Sequence, residues 1–222
     1  SGEDFTLSAE KSWVTSAGEA DGYVVSAKVP NAAGPTETLL AYVPKGADGF
    51  TVGGPWDSLG LRGNASAPMN LKDVEIGADR LLCDKGAGFT QMMAILPWFA
   101  LGNAAISIGI AEAATQATTG HLIGHGFQHL GSTLADLPNQ RERLARMRIA
   151  TDRARAHLYC ILRCVETEDP MAQVYVLEAK PMASQAAMEV TDLAMATCGG
   201  AAFSKHLSVE RNFRDRKSKR LN

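Results

Sequence analysis

The sequence predicts an α+β protein: an antiparallel, barrel-like β domain followed by an antiparallel helical bundle. Three observations predict it. Before Lys85 the apolar runs are short and punctuated by Gly, Pro, Asn and Asp, as strands and turns are. After Lys85 glycine thins out and apolar residues recur at three- and four-residue steps. The long helical segments are joined by short loops, which makes neighbours antiparallel. The change of period divides the chain into residues 1–85 and 86–222.

The elements follow in order. Lys11-Ser12-Trp13-Val14-Thr15-Ser16-Ala17 reads as strand, and Trp13 and Thr15, two apart, then share one face. That face offers a flat π surface and a short hydrogen-bonding group, a combination that suits a planar, heteroatom-rich ring such as a flavin. A strand tryptophan is also an ordinary core residue. Tyr23 to Val29, Leu39 to Val43 and Met69 to Ile76 read as further strands. Turn chemistry separates them at Asn31 to Gly34, Gly46 to Gly49 and Gly60 to Asn64. A first helix is expected from Gly88 to about Thr119, bent at Pro97. A second runs from Leu134 to about Glu166. A third begins at Pro170 and stops at Gly199-Gly200.

With 222 residues the chain holds one large or two small domains. A net charge of −2 gives no bulk electrostatic case for nucleic acid. The basic end, Arg211 to Arg220, reads as a solvated, frayed terminus. Cys83, Cys160, Cys164 and Cys198 form no Cys-x-x-Cys pair, and no secretory signal is visible, so reduced thiols and a cytoplasmic location are expected. Gly86 to Ala111 lacks charge and is long enough to span a bilayer. Thr90, Gln91, Asn103 and Ser107 dilute it, and no aromatic or basic belts flank it, so a buried bundle helix is expected and no membrane span.

Several motifs admit two readings. Lys85-Gly86-Ala87-Gly88-Phe89 either cradles an anion on backbone N–H groups or is plain turn chemistry. His121, His125 and His129 recur every four residues, as helical metal ligands do. The intervening Gly120, Gly124, Gly126 and Gly131 argue for a loop instead, so no metal site is expected. Arg141, Arg148 and Arg155 form a stripe, read as a solvated bundle face or as one turned to pyrophosphate or a subunit. Gly199 and Gly200 either cap a helix or let backbone approach a ligand closely.

The ordered set of motifs resembles the acyl-CoA dehydrogenase family of flavoproteins, as a divergent member. Lys11-Ser12-Trp13-Val14-Thr15 is similar to its Lys-x-Trp-Ile-Thr strand, and Leu59-Gly60-Leu61-Arg62-Gly63-Asn64 to its Leu-Gly-Met-Arg-Gly turn. Gly86 to Phe89, Ala104 to Ala111 and Leu144 to Met147 follow in the family's order, as do Cys198-Gly199-Gly200 and Glu210-Arg211 with Arg214-Asp215. The resemblance implies FAD, a homotetramer, and α,β-dehydrogenation of an acyl-CoA thioester with hydride transfer to the flavin. It implies that Trp13 and Thr15 lie against the flavin with Ser16 nearby, and that Gly199 and Gly200 lie at a neighbouring subunit's FAD. It also implies an N-terminal helical domain and a last helix outside this chain, whose two ends look cut.

The departures bear on chemistry. The family's catalytic glutamate precedes an arginine on the first bundle helix; Phe99 and Ala100 stand there. Its other position falls at residue 223, just past Asn222, so the catalytic base is not identified. Phe127-Gln128-His129-Leu130-Gly131 replaces the family's Arg-x-x-Phe-Gly motif for pyrophosphate, with His125 or His129 as substitute donors. These losses leave two alternatives: a two-component monooxygenase taking reduced FMN or FAD as co-substrate, and a non-catalytic bundle or scaffold.

Overall fold

The computed structural model describes residues 4–54 and 57–220. The first three residues of the chain, where the β pattern begins abruptly, lie outside the described residues, as do the side chains of residues 217–220 in the basic end. The chain forms two compact units, residues 1–58 with 62–96 and residues 59–61 with 97–222.

The first unit is antiparallel β. Strands β1 (Phe5–Val14), β5 (Ala67–Ile76) and β4 (Phe50–Val52) make one sheet in the order β1-β5-β4. Strands β2 (Gly22–Lys28) and β3 (Thr38–Pro44) make a second. Among the described residues the two sheets are open, with no closed barrel. Strand β4 was not expected; three residues are too few to carry a period. One cluster built on Tyr23, Val25, Val43, Met69, Leu71 and Ile76 forms the core of this unit.

Two breaks of register shape β1. Leu7 pairs with Val74 and Ala9 with Leu71, so β5 carries an extra residue there. Asp73 takes it up in the left-handed region at φ 53°, and Ser8 steadies it: the Ser8 hydroxyl donates to Asp73 Oδ1 (2.9 Å) and accepts from Asp73 N (3.0 Å). Lys11 then pairs with Met69 and Val14 with Ala67, so the second extra residue belongs to β1, at Ser12-Trp13. This corrects the expected strand face. β1 ends at Val14 and Thr15 opens the following turn.

The second unit is helical, and among the described residues the chain has four α-helices. α1 (Gly88–Gly124) starts within the residues of the first unit and continues into the second through Pro97. α2 spans Pro138–Glu166, α3 Ala172–Cys198 and α4 Val209–Arg220. Leu101, Ala104, Ile108, Ala111, Thr115, Thr118 and Leu122 are buried on α1 at alternating steps of three and four, one continuous stripe. It meets α2 and α3 through alanines (Ala150, Ala154, Ala179, Ala183, Ala187) that allow close helix approach. Buried hydroxyls on α1 are satisfied within the helix: Ser107, Thr115 and Thr118 donate to the carbonyls four residues back. By length and composition alone α1 is long and apolar enough to cross a membrane; its buried stripe packs in the bundle.

Several helix boundaries differ from expectation. α1 runs on past Thr119 through Gly120 and His121, because Thr118 and Leu122, both 0 % exposed, anchor that turn and outweigh the low propensity of glycine. Leu134–Asp136 is a separate 3-10 turn, closed by a capping box between Thr133 and Asp136, and Pro138 then opens α2. Pro170 precedes α3, which instead continues through Pro181. The frayed terminus is also overturned: α4 docks on α3. Arg216 is 3 % exposed, donates to the Met188 carbonyl and to Asp192, and lies over the Phe213 ring.

Candidate functional site

Trp13, Thr15 and Ser16 come together at the end of β1. Trp13 is 70 % exposed, because the register slip at Ser12-Trp13 turns it away from the core cluster that takes Leu7 and Val14. Thr15 is exposed and Ser16 half-buried. Trp13 borders an open groove of 430 Å³ between β1 and β2, lined also by Lys11, Tyr23, Val24 and Ser26. Lys11 closes one side of it, its ammonium donating to the Ser26 carbonyl (3.0 Å).

The turn after Trp13 is tightly held. Ser16 sits at φ 56° and Gly18 at φ 81°. Ser16 N and Ala17 N donate to the carbonyls of Asn64 and Ala65 (3.0 and 3.1 Å). The Tyr23 hydroxyl donates to the Ser16 carbonyl (2.8 Å) and accepts from Gly18 N (2.7 Å). The sequence reading missed Tyr23, which a strand pattern marks only as another β residue.

Gly199 and Gly200 belong to the second unit. Gly199 has φ 54° and ψ −131°, a conformation open to glycine, and nothing lies within 4 Å of where its Cβ would stand. Both glycines are exposed. They cap α3 and leave bare backbone on the surface. Beside them Cys198 is buried, which pushes its thiol pKa up, while a contact with the Thr118 hydroxyl opposes that shift.

Other motifs make contacts within the fold. The glycine-turn and Arg-Asp motifs dock on one another. Leu61 N donates to Asp215 Oδ1 (2.8 Å), Arg214 Nη1 donates to the Leu59 carbonyl (2.8 Å), and Glu210 holds Arg214 through a paired contact. A Cβ at Gly60 would lie 2.6 Å from the Arg214 carbonyl oxygen. The arginine stripe is engaged within the bundle: Arg141 pairs with Asp136, and Arg148 and Arg155 both pair with Glu112 and Asp152. The Arg155 contact holds the Glu112 carboxyl below the usual range; burial opposes it, and Gln116 and Arg148 add to it.

The His121 and His125 rings lie 4.4 Å apart at a 37° tilt, and His125 Nδ1 stands 2.9 Å from the His121 carbonyl, to which it can only donate. Burial lowers the His121 pKa, with His125 adding to it. No group of three or more metal-ligating side chains occurs among the described residues. His129 lies beyond α1, in the turn between β6 (Gly126–Phe127) and β7 (Ser132–Thr133), edge-on to Phe127. At the glutamate slot, Trp98 and Phe99 are both exposed while Ala100 is buried in the bundle core.

Comparison with known proteins places both halves of the chain in one family. Residues 1–74 match the acyl-CoA dehydrogenase middle domain and residues 86–221 the acyl-CoA dehydrogenase C-terminal domain. The chain is 30% identical over 214 residues to the mitochondrial short-chain specific acyl-CoA dehydrogenase of Bos taurus, covering 96% of this chain and 51% of that protein. It is 30% identical over 215 residues to the short-chain specific acyl-CoA dehydrogenase of Megasphaera elsdenii, covering 96% and 55%. The solved butyryl-CoA dehydrogenase from Megasphaera elsdenii superposes with a TM-score of 0.90 at 29% identity, over 98% of this chain and 56% of that one. The chain thus spans about half the length of these relatives. On two domain models that together cover most of its residues, the chain belongs to the acyl-CoA dehydrogenase family.

Proposed function

We propose that the protein is an FAD-dependent oxidoreductase that dehydrogenates an acyl-CoA thioester between its α and β carbons. One observation carries the reading. A large aromatic, Trp13, is held out of the β core at 70 % exposure beside the hydroxyls of Thr15 and Ser16. A flat ring flanked by hydroxyl groups fits the isoalloxazine system, and open backbone at Gly199 and Gly200 fits close approach by a cofactor.

When bound, FAD supplies the hydride acceptor. The chain's own residues bind and orient it. Trp13 covers one face and excludes water from it. Thr15 and Ser16 donate hydrogen bonds to the polar edge. Gly199 and Gly200 serve the FAD of a neighbouring subunit in a homotetramer. The relatives carry this chemistry by name, as short-chain specific acyl-CoA dehydrogenases and a butyryl-CoA dehydrogenase. Proton abstraction calls for a carboxylate held beside the acidified C–H. Phe99 occupies one of the two family slots for that group, and no residue is assigned as the base in this reading.

A second reading rests on the same slot. Trp98 and Phe99 present an exposed aromatic pair where a dehydrogenase of this type places its acid. That surface suits a hydrophobic substrate in a two-component monooxygenase supplied with reduced FMN or FAD. The full-length protein should be yellow and release FAD on denaturation. Anaerobic mixing with a panel of acyl-CoAs should bleach the flavin. Failure to bleach, with oxygen-dependent hydroxylation instead, replaces the first reading by the second. A colourless protein that binds neither FAD nor reduced FMN removes both and leaves a non-catalytic bundle.

A further inference from the structure

We infer that Tyr23 is a positioning residue for the flavin: its hydroxyl locks the Thr15–Gly18 turn in the one conformation that presents Thr15 and Ser16 to the ring. The inference rests on the proposed flavin site and adds to it a residue of the β core that acts through the turn.

The turn is strained and the surroundings over-determine it. Ser16 at φ 56° is unfavourable for a residue with a side chain, and Gly18 at φ 81° needs glycine. Such a conformation persists only where neighbouring contacts hold it. On one side Asn64 and Ala65 take the N–H groups of Ser16 and Ala17. On the other, a single hydroxyl bridges the turn: Tyr23 donates to the Ser16 carbonyl and accepts from Gly18 N. The tyrosine is itself fixed. It is 7 % exposed in the β core, and its ring stacks on Phe50 with centroids 5.4 Å apart. Core packing of β2 is thereby transmitted through one oxygen to the backbone of Ser16, and so to the Thr15 peptide preceding it.

Removing that oxygen leaves the ring, the stack and the core volume intact. Gly18 N loses its partner, while the Ser16 carbonyl keeps Glu19 N and Ala20 N. The turn is then held by its backbone contacts alone, relaxed conformations gain population, and the apparent flavin affinity falls with the fraction that remains competent.

The test uses the full-length protein and three variants beside the wild type. Tyr23→Phe should weaken FAD binding about tenfold by titration, the fraction expected when two hydrogen bonds of ordinary strength are lost. It should also shift the flavin's visible absorption and circular dichroism bands, which report the groups around the ring. Phe50→Leu removes the stack and spares the hydroxyl. It should lower the melting temperature more than Tyr23→Phe does, yet weaken FAD binding and shift the flavin spectrum less, because the hydroxyl remains. Thr15→Val tests the flavin site itself. If Thr15→Val weakens FAD and Tyr23→Phe does not, the positioning role is overturned and the site stands. If Tyr23→Phe and Phe50→Leu lose FAD and thermal stability in the same proportion, Tyr23 is merely structural and the inference is again overturned. If the wild type binds no flavin, the proposed function fails first.

Discussion

The docking of the glycine turn on α4 makes a sharp prediction for Gly60→Ala. An added Cβ would lie 2.6 Å from the Arg214 carbonyl oxygen, 2.8 Å from the Arg214 carbonyl carbon and 2.8 Å from the Asp215 Cα. All three are backbone atoms, so no side chain can swing aside. Overpacking of this kind costs about 1–3 kcal/mol. Separation also stretches the bond from Leu61 N to the Asp215 carboxylate and that from Arg214 to the Leu59 carbonyl. Hydrogen bonds to charged groups contribute roughly 1.5–3 kcal/mol each. Both groups are only partly buried, so the lower end of one such bond is the appropriate addition. The sum is about 2.5–4.5 kcal/mol, or roughly 5–18 °C in melting temperature for a chain of this length. Gly63→Ala is the internal control: it lies in the same motif, and nothing stands within 4 Å of its Cβ position. Replacement there should change stability by no more than about 1 kcal/mol. Thermal and urea unfolding of the two variants side by side decide the matter. If Gly60→Ala melts within a degree or two of Gly63→Ala, the docking is not rigid and the reasoning fails.

Other expectations follow from the same geometry. Trp13→Ala should weaken flavin retention by about 1–3 kcal/mol in equilibrium dialysis. Its exposure means that the melting temperature of the flavin-free protein should barely move, and a large fall would mark Trp13 as core. Gly199→Ala has space around it but forces a side chain into φ 54°, ψ −131°, so it should destabilise by roughly 1–3 kcal/mol through backbone strain alone. An unchanged melting temperature would show that this residue relaxes freely. Glu112 is held below the ordinary carboxylate range by Arg155 first, then by Gln116 and Arg148. A depressed folded pKa contributes stability above the unfolded value of about 4.3 and loses it as pH falls through the folded value. The melting-temperature gap between wild type and Glu112→Gln should therefore narrow steadily below about pH 5; a gap independent of pH would sever the link.

Much of the fold was legible because period and turn chemistry agree over long stretches. The strands around Tyr23, Leu39 and Met69 and the three long helices all lie where alternation or three-four spacing places them. The failures are local and have causes. Propensity stopped α1 at its glycines, but the buried Leu122 carries the helix past them. Charge marked Arg211 to Arg220 as frayed, but Arg216 finds Asp192 and a helix carbonyl on α3, contacts between residues far apart in sequence. The exposure of Trp13 was not legible in the sequence: its physical cause is a one-residue slip of β1 against β5 that no periodicity reveals. Tyr23 was illegible for a related reason. Its role lies in one oxygen shared between Ser16 and Gly18, and only the folded turn brings them together.

The glutamate slot on α1 shows how packing, as well as chemistry, separates this chain from relatives with a Glu-Arg pair there. Phe99 is 53 % exposed, so a carboxylate at that position would stay hydrated and ionised, and glutamate is at least as good a helix former as phenylalanine. Phe99→Glu should leave stability within about 0.5 kcal/mol of wild type. Ala100, its neighbour, is buried at 7 % among Leu101, Leu158, Ile161 and Val176. An arginine there has no described acidic partner within that apolar cluster. It must either displace the α1–α2–α3 seam or bury an uncompensated charge, and breakage of that kind costs about 3–5 kcal/mol. The double replacement should therefore melt like Ala100→Arg alone, with the glutamate rescuing little, since the two side chains leave a helix in different directions when adjacent in sequence. Melting curves of the four proteins complete the cycle. Were Phe99→Glu to restore most of the stability lost in Ala100→Arg, the seam would have to be looser than its alanine packing implies, and the slot would be open to both residues rather than to the acid alone.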